Sequence, residues 1–166
     1  MSASADAWPT PVARVVEAIR AARIEARVEE FKAGTPTAED AASAVGARLE
    51  QIVKSLLFAC DARWALVMVP GDRRADRGKV AAAMACERAK TAGPEDVARV
   101  TGFEPGGVAP FPLPGVDDVL IERTLLAHDV VWIGAGSRRH MAAMAPADLV
   151  RLARARPVDA VSENAR

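Results

Sequence analysis

Gln51-Ile52-Val53-Lys54-Ser55-Leu56-Leu57-Phe58 decides how the rest of the chain is read. The run is rich in β-formers and alternates with a period of two, so it is predicted to be a strand. Ile52, Lys54, Leu56 and Phe58 share one face, and Gln51, Val53, Ser55 and Leu57 the other. Lys54 therefore falls between large hydrophobes on the more apolar face. An ammonium is rarely buried alone, because desolvating it is costly. Three placements satisfy it: the wall of a cleft, a pairing with a buried carboxylate, or snorkelling of the amine to the surface.

The next segments supply a neighbour. Asp61-Ala62-Arg63 has the length of a hairpin turn, and Trp64 to Val69 is a continuous apolar run, as expected of a central strand buried on both faces. That run stops at Pro70-Gly71-Asp72, so a strand bearing Lys54 lies beside one ending in Asp72, and a lysine–carboxylate pairing is conceivable. Upstream, an apolar stripe predicts a helix over 12–23, and alternation predicts a half-solvated strand over 24–31. A helix over 38–45 follows, with Thr37 as N-cap, Asp40 reaching back to it and Gly46 closing it. Downstream, helices are predicted over 76–85, 94–100 and 146–154, and a helical turn over 122–127. Short strands are predicted over 86–90, 119–121, 130–133, 140–144 and 158–161. The pattern is mixed α/β, with one domain over 12–161 between a flexible lead (1–11) and a polar tail (162–166).

Composition narrows the class. The 166 residues are 51% hydrophobic and 27% charged, which suits one soluble globular domain with its own core. Twenty-two cationic residues balance 22 acidic ones, so net charge does not point to nucleic acid. Local basic clusters do exist: Arg73, Arg74, Arg77 and Lys79, and then Arg138, Arg139, His140, Arg151, Arg154 and Arg156. Such clusters are either solvated faces or phosphate-binding surfaces. Cys60 and Cys86 form no CxxC and no metal spacing, so reduced thiols in the cytoplasm are expected. No apolar run reaches the roughly 18 residues of a membrane helix, and the first residues hold no signal-peptide core.

Few chemical motifs stand out. Gly134-Ala135-Gly136-Ser137-Arg138-Arg139 follows a strand, but Arg139 occupies the third glycine position of a dinucleotide fingerprint and no long helix follows. A tight connection between strands is expected there. His128 and His140 lack partners at metal spacing, and no nucleophile elbow or phosphate loop is present. Chemistry without metal, cofactor or covalent nucleophile is expected. Gly106-Gly107-Val108-Ala109-Pro110-Phe111 is either a connecting loop or a set of bare backbone N–H groups for an oxyanion, where one donor is worth about 3–4 kcal/mol.

Taken in order, Thr37-Ala38-Glu39-Asp40-Ala41-Ala42, the Lys54 strand, Gly71-Asp72, Thr101-Gly102-Phe103 with Gly106 to Phe111, and Pro146-Ala147-Asp148-Leu149 resemble the YbaK/ProX family of aminoacyl-tRNA deacylases. The family includes free-standing editing proteins and the editing insertion of bacterial prolyl-tRNA synthetases, and the resemblance spans about 24–161. It implies a compact domain with a mixed, partly barrel-like sheet and short peripheral helices. It implies hydrolysis of the ester between a wrong amino acid (alanine, cysteine, serine or threonine) and a tRNA, often tRNA for proline, with a prolyl-tRNA synthetase as a further partner. Carried over, the family lysine falls on Lys54, holding an oxygen or phosphate near the ester. Its glycine loop falls on Gly106 and Gly107, as oxyanion donors, with Val108, Pro110 and Phe111 beside the substrate. Its Gly-Asp falls on Gly71 and Asp72, Asp72 orienting Lys54 or binding the substrate ammonium. The pocket segment that varies in the family contains Gly136, Ser137 and His140, and Arg73, Arg74, Lys79, Arg138 and Arg139 would meet the tRNA backbone. The alternative is a module of the same fold that binds tRNA or a synthetase without hydrolysis.

Overall fold

In the computed structural model the described residues are 8–165, with side chains described to 163. Two strands form the spine: β2 (Val53–Cys60) and β3 (Arg63–Pro70), antiparallel, with Lys54 opposite Val69 and Cys60 opposite Arg63. Ala65 to Val69 are fully buried, as the unbroken apolar run requires. The parallel strands β6 (Asp118–Glu122) and β9 (Arg156–Val158) extend the sheet beyond β3, and β5 (Ala89–Thr91) closes its other edge, giving the order β5-β2-β3-β6-β9. The sheet is therefore mixed. A second sheet, β1-β8-β7, is built from β1 (Arg27–Glu30), β8 (His140–Met144) and β7 (Val131–Ser137). One isolated bridge, Ile52 to Trp132, ties this sheet to the entry of β2. The main core lies between them and includes Val53, Met68, Phe103, Phe111, Ile121, Ile133 and Leu149.

Helices α1 (Thr10–Ala21), α2 (Ala38–Val45), α3 (Arg77–Met84), α4 (Pro94–Thr101) and α5 (Pro146–Ala153) sit at the periphery. Their ends follow local sequence chemistry. Thr37 Oγ1 accepts the Asp40 N–H at 3.0 Å and donates to the Asp40 carboxylate at 2.8 Å, and Gly46 ends α2 in the left-handed conformation (φ 69°). Asp76 caps α3 through the Lys79 N–H at 3.0 Å.

Four expectations change. Gly134-Ala135-Gly136 is not a connection but part of β7; the turn is Arg138-Arg139, and a register shift between Gly134 and Ser137 precedes it. Cys60 and Cys86 are joined in a disulfide, because β5 pairs with the end of β2 and brings their Cα atoms to 5.8 Å. The expected tail carries a strand, β10 (Val161–Ala165), paired with β4 (Arg73–Ala75), a strand too short to show as periodicity. Helix α1 begins inside the expected lead, of which residues 1–7 lie outside the described residues. No helix among the described residues is long and apolar enough to cross a membrane.

Candidate active site

A cleft of about 370 Å³ opens where the two sheets meet. Thr35 to Ala38 and Ala41 form one side, Ile52 and β2 from Val53 to Leu56 the floor, and Gly106, Val108, Gly134, Ser137, His140 and Met141 the opposite wall. Of the residues singled out from sequence, Lys54, Gly106, Val108, Ser137 and His140 converge here.

Lys54 is half-buried on this floor. Its Nζ donates to the Arg73 carbonyl at 2.8 Å, so the start of β4 holds the ammonium. Asp72 precedes that carbonyl and does not line the cleft; its Oδ1 is buried without a hydrogen-bond partner among the described residues. Gly71 is there for close approach: a Cβ at this position would lie 2.6 Å from the Leu49 carbonyl oxygen. The Gly71-Asp72 turn leads directly into the residue whose carbonyl holds Lys54.

The glycine loop is clamped to the β7–β8 turn. Glu104 Oε1 accepts the Arg138 N–H at 3.1 Å, and Arg138 Nε donates to the Pro105 carbonyl at 2.9 Å. Gly106 has φ +86°, which a side chain adopts only with strain. A Cβ on Gly107 would sit 2.8 Å from backbone atoms of Ser137. The two glycines do not play equal parts as donors. The Gly107 N–H is already donated to the Glu104 carbonyl at 2.9 Å, which corrects its expected role toward an oxyanion. The N–H groups of Gly106 and Val108 have no partner among the described residues, and both residues line the cleft.

Ser137 and His140 flank the two-residue turn as a cross-strand pair, and Glu30 is the register partner of His140 on β1. The three side chains therefore form a row across three strands. Ser137 Oγ lies 2.6 Å from His140 Nδ1 and accepts the Arg139 N–H at 3.0 Å. Glu30 Oε2 is 3.2 Å from His140 Nε2, at ion-pair distance but not aligned for a hydrogen bond. Burial pushes the His140 pKa below the ordinary histidine value; Glu30 pulls it back up and Arg139 adds to the lowering. Glu30 has no sequence signal of its own. Ser137 and His140 were singled out from sequence only as pocket residues, and the Ser137-x-x-His140 spacing around a tight turn is the signal that could have paired them.

Other expected positions lie elsewhere. Phe111 is 3% exposed in the core, and Pro110 and Phe111 border a separate groove with Arg14 and Arg156. Phe111→Ala is expected to lower stability by about 3–5 kcal/mol, as aromatic truncation in a packed core does, measured by denaturant unfolding. Gly136 is buried against Pro11 and Val12 of α1. Arg73 donates to the Ser162 carbonyl, and Lys79 pairs with Asp159 at 3.0 Å and the Val161 carbonyl at 2.8 Å, so both hold β10. Arg74, Arg138 and Arg139 are exposed. No cluster of metal-ligating side chains occurs among the described residues.

The chain is similar to several known proteins. A family model, the aminoacyl-tRNA editing domain, matches residues 32–152. An uncharacterised Bacillus subtilis protein, YwhH, is 32% identical over 74% of this chain and 78% of its own length. A proline–tRNA ligase of Lactobacillus helveticus is 29% identical over 62% of the chain, which spans only 18% of that enzyme. A solved structure provisionally described as a trans-editing enzyme for prolyl tRNA synthetase superposes with a TM-score of 0.86 at 32% identity, covering 94% of this chain and 99% of that one.

Proposed function

The chain belongs to the aminoacyl-tRNA editing domain family, and from that premise we propose that it is a trans-editing deacylase that hydrolyses the ester of a mischarged tRNA. The substrate class is tRNA for proline carrying alanine, cysteine, serine or threonine. The observation that carries this reading is that one cleft is lined by a carbonyl-held lysine and by Gly106 and Val108, whose N–H groups have no partner among the described residues. Water attacks the ester carbonyl, and the oxygen that becomes negative is taken by those two N–H groups. Lys54 supplies a point charge to the same oxygen or to the terminal phosphate. A bound water or the ribose 2′-hydroxyl carries the proton to the leaving 3′-oxygen.

The remaining roles are supporting ones. Gly71 and Asp72 position the Arg73 carbonyl and through it Lys54. Gly107, Pro110, Phe111 and Gly136 fix the loop and β7 at the wall, and Ser137 and His140 face the amino acid. Arg74, Arg138 and Arg139 meet the acceptor-stem phosphates, while Arg73 and Lys79 contribute to that field from within their contacts to β10. A prolyl-tRNA synthetase is the partner whose errors such a protein would clear, in the cytoplasm.

The test is a deacylation panel of tRNA for proline charged with alanine, cysteine, serine, threonine or proline. Hydrolysis of one or more mischarged species, with prolyl-tRNA spared, is the expected result. Binding of tRNA that weakens with salt, without turnover of any species, would instead make the chain a binding module.

A further inference from the structure

We infer that Ser137 is the acceptor for the α-ammonium of the aminoacyl group, held in that role by the neutral imidazole of His140. This rests on the editing reading and names the substrate feature that the cleft selects. A serine hydroxyl has one proton and two lone pairs. One lone pair of Ser137 Oγ takes the Arg139 N–H at 3.0 Å. The proton goes to His140 Nδ1 at 2.6 Å when the ring carries its hydrogen on Nε2, the nitrogen that faces Glu30 at 3.2 Å. What remains on Oγ is a lone pair, in a residue that lines the cleft. The site thus offers an acceptor and no donor at this point, which fits an ammonium. Asp72, the other candidate for that role, does not line the cleft.

The arrangement has a built-in reversal. A protonated His140 donates from Nδ1 to the second lone pair of Oγ. Both lone pairs are then occupied, and the hydroxyl proton turns outward. The acceptor becomes a donor beside a new positive charge, and the ammonium is rejected. The charged groups facing the ring are Glu30 on β1, which opposes this charge with its own, and Arg139 in the turn, which adds to it. Lys54 and Arg138 are the cations at the cleft and its rim.

The experiment compares two non-hydrolysable probes, 3′-amino-3′-deoxyadenosine acylated on its 3′-nitrogen with alanine and the same nucleoside acylated there with propionate, which lacks only the α-amine. Wild-type protein is expected to prefer the alanyl probe by about tenfold in Kd at pH 7, the weight of one hydrogen bond to a charged group. Ser137→Ala should abolish the preference, weakening alanyl binding far more than propionyl binding. On wild-type protein the preference should fall as the pH drops below the ordinary histidine value, because His140 takes up its proton only there, a range in which an α-ammonium with pKa near 7.7–8.0 stays charged. A merely structural serine would weaken both probes alike. Equal loss, or a preference that does not change with pH, overturns the inference, and the second arm stands even where Ser137→Ala does not fold. Because neither probe requires turnover, an amine-selective protein with no deacylase activity would sink the editing reading and leave this one intact.

Discussion

Lys54→Ala is expected to lower kcat/KM for deacylation by about 10²–10³-fold, the range seen when one preorganised donor to a developing oxyanion is removed. The side chain lines the cleft and its ammonium is held by the Arg73 carbonyl, so its position is set before substrate arrives. Stability should change much less, because Lys54 is half-buried and its loss frees a neutral backbone carbonyl rather than a charge. Lys54→Arg should not rescue. A planar guanidinium on a longer stem cannot reproduce a compact charge donating to one carbonyl. Single-turnover kinetics with circular dichroism of each variant checks both halves. Full activity in Lys54→Ala would remove this residue from the chemistry.

Gly107→Ala carries the second largest effect, although the residue donates nothing to substrate. Its N–H closes the turn on the Glu104 carbonyl, and an added Cβ would meet Ser137 backbone atoms at 2.8 Å. Backbone cannot swing away as a side-chain tip can. The loop must therefore lift from β7, carrying Gly106 and Val108 with it. A displacement near 1 Å is enough to cost about 10²-fold in rate, and overpacking of this kind lowers stability by about 1–3 kcal/mol. Gly106→Ala is the informative contrast. There the obstacle is the flexible Arg138 side chain at 3.3 Å and the cost is backbone strain at φ +86°. Denaturant midpoints and kcat/KM of the two variants, measured together, separate loop displacement from local strain.

Much of the element order was legible because it is encoded locally. Alternation marked β2, and the unbroken apolar run from Trp64 marked β3 as the strand buried on both faces. Thr37 and Gly46 bounded α2 through contacts only three and four residues long. The placement of Lys54 followed from the cost of burying an ammonium, which left the cleft wall among three options. Its partner was not legible. The ammonium meets a main-chain carbonyl, Arg73, and any residue type carries one of those.

The same limit runs through the site. Sequence by itself determined a mixed α/β domain, the strand that presents Lys54 and a glycine loop able to expose backbone, because period, turn chemistry and desolvation act over a few neighbouring residues. Tertiary structure alone decided that the Gly107 N–H is taken by Glu104 while those of Gly106 and Val108 are not, that Cys60 and Cys86 meet, and that Glu30, His140 and Ser137 stand in one row. Each of these depends on the register between distant segments. A one-residue slip reverses the face of every side chain, and the burial of the shared core, not any local preference, selects which register is kept.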